Sequence, residues 1–244
     1  MRLPVIFLDD GGVMNDNVRR GACFRELIPH FLVPRLGGEP RAWAEANVPV
    51  LDALMDEYTR RLYRRPEADY HAFLHEFFRV RWLRDMCDRV GVVSPPDDEC
   101  AALAADAYTW ITRRVRSAFP GAADAVRTLS DQGHRLYTAS GETSLELDGY
   151  LTGMGVRDRF TTLYGPDLIS TAKEGIPYYE RVFADAAVDP ADALVVDDAP
   201  IALSWAATAG ARTVWVRGGR DEVAAVHLTI ERLADLPAAL DRLD

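Results

Sequence analysis

The chain has 244 residues, 48% hydrophobic and 27% charged, enough for one large domain or a domain carrying an insertion. It has no run near the about 18 apolar residues of a membrane helix, and its start lacks the basic and apolar regions of a secretion signal, so a cytoplasmic protein with no membrane partner is expected. A net charge of −10 argues against a nucleic-acid partner, and Cys23, Cys87 and Cys100, with no CxxC pair, argue against a disulfide framework or a structural zinc site.

At the N-terminus, Val5-Ile6-Phe7-Leu8 runs straight into Asp9-Asp10-Gly11-Gly12, which reads as a buried strand ending in a tight turn. The segment 17–117 changes character. It has no convincing strand, and its apolar residues recur at helical spacing, as in Leu51, Leu54, Met55, Tyr58 and Leu62, then Tyr70, Phe73, Leu74, Phe77 and Phe78. Arg60, Arg61, Arg64, Arg65, Arg79, Arg81, Arg84 and Arg89 crowd into this segment and read mostly as solvated helix surface. Arg19 and Arg20, just after the first turn, are candidates for holding an anionic substrate.

Phe119-Pro120-Gly121 marks a return to strand and helix in alternation. Strand-like runs lie at 135–138, 161–164, 193–196 and 213–216, with helix-like segments at 122–132, 144–154, 178–187 and 200–209. That order predicts an α/β fold, a Rossmann-like parallel sheet formed by 1–16 and 118–244, with 17–117 as an all-helical insertion. In such a sheet ligands bind beyond the carboxyl ends of the strands, where Asp9, Thr138, Ser140 and the pair Asp197-Asp198 fall. Lys173 lies in a loop before a helix and is the only lysine among 28 basic residues. Its retention in so arginine-rich a chain points to work that a compact ammonium does and a planar guanidinium does not.

Taken in order, "FLDDGGVMND", "FPGAADAVRTLSDQGHRLYTAS", "KEGIPYYERVF" and "ALVVDDAP" resemble the four motifs of the haloacid dehalogenase-like (HAD) hydrolase superfamily, and the insertion resembles its helical cap. The resemblance implies the HAD fold, Asp9 as nucleophile and Thr138 as a catalytic hydrogen-bonding group to the substrate, beside Ser140. It also implies that Lys173 neutralises charge, and that Mg2+ is held by Asp9, the Gly11 carbonyl and Asp198, with Asp197 nearby. The competing register, with Asp10 as the second aspartate, places Leu8 at the nucleophile position. The register with Asp9 as nucleophile keeps Gly12-Val13-Met14 and Asp16 in step. It also puts Gly11 where the family's second aspartate, its usual acid–base group, would stand. Asp10, alternating with Asp9 along the strand, is expected to point elsewhere.

These residues lead to a magnesium-dependent hydrolase, a phosphatase acting on a small phosphorylated metabolite through a phosphoaspartyl intermediate on Asp9. The alternatives are a metal-independent 2-haloacid dehalogenase, whose halide leaves without a proton, and a weakly catalytic HAD-fold binding protein that has lost its acid–base aspartate. The sequence carries no signal of oligomeric state.

Overall fold

The structure, a computed structural model, describes residues 3–64, 70–216 and 226–240, apart from the side chains of 61–64, 71 and 72. The chain divides into two compact units, Met1–Asn17 with Arg116–Asp244, and Val18–Val115.

The first unit is built on β1 (Val5–Leu8), β2 (Leu136–Ala139), β3 (Phe160–Tyr164), β4 (Ala193–Asp197), β5 (Arg212–Val216) and β6 (Leu228–Ile230). They form one parallel sheet in the order β3-β2-β1-β4-β5-β6, the α/β architecture expected. The short edge strand β6 was not among the runs read from the sequence. β1 and β4 are buried on both faces, as unbroken apolar runs in a parallel sheet should be. Alternation sends Ile6, Leu8, Leu136, Leu194 and Val196 into one core and Val5, Phe7, Tyr137, Ala193 and Val195 into the other. Each fully buried Leu, Ile, Val or Phe contributes about 1.5–3 kcal/mol, which makes the centre of this sheet its firmest part.

The second unit has only helices and their connections among its described residues: α1 (Asn17–Leu36, its first residue in the sheet unit), α2 (Pro40–Arg64), then α3 (Tyr70–Phe73) leading through a π-helical stretch, Leu74–Arg81, into α4 (Trp82–Val90), and α5 (Asp97–Thr112). Its core gathers Trp43, Leu54, Phe77, Trp82, Met86 and Ile111. The Trp82 indole donates to Asn47 Oδ1 at 2.9 Å and packs 5.0 Å from the Tyr108 ring. No described helix is long and apolar enough to cross a membrane.

Helices of the sheet unit follow the strands: α6 (Ala122–Asp131), α7 (Ser144–Met154), α8 (Pro166–Ile169), α9 (Ile176–Asp185), α10 (Pro200–Thr208) and α11 (Leu236–Ala239). Thr143 and Glu146 close a reciprocal cap on α7. The chain builds outward from β1 to β3, then crosses back to lay β4 on the other side of β1. The switch point of the sheet therefore lies between β1 and β4, where open parallel sheets bind their ligands.

Candidate active site

Asp9 and Asp197 are brought together by strand pairing alone. Leu8 pairs with Val196, and the Asp9 backbone N–H donates to the Val196 carbonyl at 2.9 Å. Both residues continue the strand faces that carry Phe7 and Val195, so their carboxylates emerge on one side of the sheet. Lys173, in the loop between α8 and α9, bridges them, its Nζ 2.9 Å from Asp9 Oδ1 and 2.7 Å from Asp197 Oδ2. The other Asp197 oxygen accepts the Ala199 N–H at 2.8 Å.

Burial sets the electrostatics. The Asp197 side chain is 1% exposed and that of Lys173 10%. Burial works against the charge on Lys173, yet Asp9 and Asp197 hold its ammonium well above the usual lysine range. Burial pushes Asp197 up to about 6, against the pull of Lys173. Asp198 completes the group, and oxygens of Asp9, Asp197 and Asp198 all lie within 4.8 Å of one another. A side chain at position 12 would run into the Asp198 carboxylate, and Gly12 has φ +84°, so only glycine fits that turn.

The donor set fits a magnesium ion. Carboxylate oxygens are its preferred ligands, and here three residues each offer one within 4.8 Å of the others.

The structure brings Asp9, Lys173, Asp197 and Asp198 together and treats the other candidates differently. Thr138 is fully buried and donates its hydroxyl to the Tyr164 carbonyl at 3.1 Å. Ser140 follows β2, its hydroxyl accepting the Glu142 N–H at 3.3 Å and its carbonyl taking the Tyr178 hydroxyl at 2.8 Å. Arg19 and Arg20 lie in the first turn of α1, in the helical unit. In the arginine-rich stretch Arg81 pairs with Glu57 at 2.7 Å and Arg84 with Asp97, while the side chains of Arg61, Arg64 and Arg65 lie outside the described residues.

Asp10 does turn away from Asp9, but it has work of its own. It is fully buried and accepts Asn15 Nδ2 at 2.7 Å; Asn15 Oδ1 in turn accepts the Ser117 hydroxyl at 2.9 Å. The Asp10 carbonyl takes the N–H groups of Met14 and Asn15. This network folds the turn after β1 back on itself and ties it to the returning chain, where Asp16 N–H donates to the Ser117 carbonyl. Two further residues escaped the sequence reading. Tyr179 is fully buried, feels the charge of Lys173, and its hydroxyl has no hydrogen-bond partner among the described residues. The carboxamide of Asn17 lies against Gly11.

Among known proteins, the profile of the haloacid dehalogenase-like hydrolases matches residues 83–216. No curated protein matches the chain by sequence. Solved structures match its fold over their whole length. The 2-haloacid dehalogenase from Pseudomonas syringae pv. Tomato DC3000 is 17% identical with a TM-score of 0.67, over 100% of both chains. The L-2-haloacid dehalogenase from Xanthobacter autotrophicus is 16% identical with a TM-score of 0.64, over 98% of this chain and 99% of that one. The Bacillus subtilis protein YfnB, solved bound to magnesium, is 17% identical with a TM-score of 0.63, over 99% of this chain and 100% of that one. At such identities the likeness is one of fold.

Proposed function

This chain belongs to the haloacid dehalogenase-like hydrolases, and from that membership we propose that it hydrolyses a small anionic substrate through a covalent ester on Asp9, breaking the carbon–halogen bond of a 2-haloacid. The observation that carries the choice of bond is Gly11. Beside a nucleophile already held by Lys173, it offers no side chain to protonate a leaving group, and a halide needs none. The dehalogenases among the similar structures support the same choice. Phosphatase, the leading expectation from the sequence, becomes the second reading.

In this mechanism an Asp9 oxygen attacks the carbon bearing the halogen, and the halide departs with the bonding electrons. Water then hydrolyses the ester to release a 2-hydroxyacid and restore the carboxylate. Lys173 holds Asp9 in place and offsets the substrate's negative charge.

The second reading, a phosphatase, is favoured by one specific observation, the convergence of Asp9, Asp197 and Asp198. These residues would hold Mg2+, with the Gly11 carbonyl as a further candidate ligand. The ion would supply charge neutralisation at a transferring phosphoryl group.

One assay separates them: halide release from 2-chloropropionate and phosphate release from p-nitrophenyl phosphate, each with magnesium or with chelator, beside the Asp9→Asn variant. Halide release that persists in chelator and vanishes in the variant is the expected result. Magnesium-dependent phosphate release without halide release would replace the first reading by the second. Equal rates for parent and variant on both substrates would remove the Asp9 ester.

A further inference from the structure

The two glycines after Asp10 are there for different reasons. Gly12 needs a left-handed backbone that Gly11 does not: Gly11 lies outside the positive-φ region, so its conformation admits any residue. The three atoms nearest to a Cβ on Gly11 would all belong to the Asn17 carboxamide, with Oδ1 at 2.7 Å, Nδ2 at 3.1 Å and Cγ at 3.3 Å. The turn that carries Asn17 there is pinned. Gly12 N–H donates to the Asn15 carbonyl at 2.8 Å, Gly11 bridges to Asn15, and Asp10 holds the Asn15 side chain. Asn17 itself is an exposed residue.

The geometry points to Asn17 as the group that fills the acid–base position left by Gly11, as a hydrogen-bond donor to the departing anion. A carboxamide offers two N–H donors and does not titrate near neutral pH, so it steadies a leaving group but cannot protonate it. The substrates that suit such a site carry leaving groups stable as anions, a halide above all, or an acidic aryl alcohol in place of an alkyl one. As the Asp9–carbon bond forms and the carbon–halogen bond breaks, the halide takes the electron pair and accepts a hydrogen bond from the Asn17 N–H. This inference rests on the covalent hydrolysis proposed above and narrows its substrate class.

The test has a kinetic arm and a folding arm. In the first, Asn17→Ala is compared with the parent on 2-bromopropionate and 2-chloropropionate, and on p-nitrophenyl and phenyl phosphate. Loss of one neutral donor should lower kcat about tenfold, change KM less than about twofold, and cost more for the poorer leaving group of each pair. A kcat equal to the parent's, or an equal loss for both members of a pair, overturns the inference. In the second arm, Gly11→Ala is made in the parent and in Asn17→Ala, and melting temperatures are read without substrate. The added methyl should lower the melting temperature with Asn17 present and lower it less without it. An equal effect in both backgrounds means that Asn17 does not fill that space, and overturns the inference too. A parent with no activity on any substrate, together with coupled melting temperatures, would sink the proposed hydrolysis while upholding the placement of Asn17.

Discussion

Asp9 and Asp10 are chain neighbours with opposite duties: one carboxylate is held at the end of β1 by Lys173, the other is turned to the opposite side against Asn15. Removing the second strands a buried amide donor. Asp10→Ala should therefore cost about 2 kcal/mol of stability, and Asp10→Asn, which keeps an acceptor oxygen, distinctly less. Urea unfolding of the three proteins checks this, and equal midpoints would contradict it. Alternation along a strand was enough to say that Asp10 faces away from Asp9. Its partners, Asn15 and through it Ser117, lie across a turn and 102 residues further on, where no periodicity reaches. The same limit hid Asn17. Glycine at position 11 was visible as a loss, but what stands beside it depends on how the turn closes.

At the scale of elements, β1 and β4 do most to make the site, because their register places two acids side by side. Both strands were legible as apolar runs ending in aspartates, and their parallel pairing followed from the alternation of strand and helix. The edge strand β6 was not, since three residues, Leu228–Ile230, are too few for a pattern. The pairing has a cost that pH exposes. Burial pushes Asp197 from 3.8 up to about 6, so between those values the folded chain keeps a proton that the unfolded chain has released. The stability tied to this group is thus fully present below pH about 4 and falls as pH rises through about 6. In buffer free of divalent ions, the melting temperature of Asp197→Asn should gain on the parent across that interval. A constant difference between the two from pH 4 to 7 would refute this. Magnesium, if it binds the three carboxylates, should flatten the parent's fall.

For the whole molecule, two compact units with separate cores make a single cooperative unfolding step unexpected. Trp82 is fully buried in the helical unit and donates to Asn47 there. Trp82→Ala should cost that unit about 3–5 kcal/mol. Scanning calorimetry should then show a low-temperature transition split from that of the sheet unit, with a calorimetric enthalpy exceeding the van't Hoff value. A single sharp peak moved downward as a whole would mean that the units melt together.

The turn network bears on more than catalysis. Asn15 bridges to Ala118, Phe119 N–H donates to the Met14 carbonyl, and Asp16 to Ser117, so the outgoing and returning chains leave the sheet unit as neighbouring strands would. Their separation is then about 5 Å, the spacing of an antiparallel pair. A segment whose ends meet so closely behaves like an exchangeable cassette. Any sequence able to fold between two adjacent ends could be spliced in its place with little strain on the sheet. The inserted segment could then be exchanged by recombination at one seam, while β1 and β4, with Asp9 and Asp197 at their ends, keep the frame they already have.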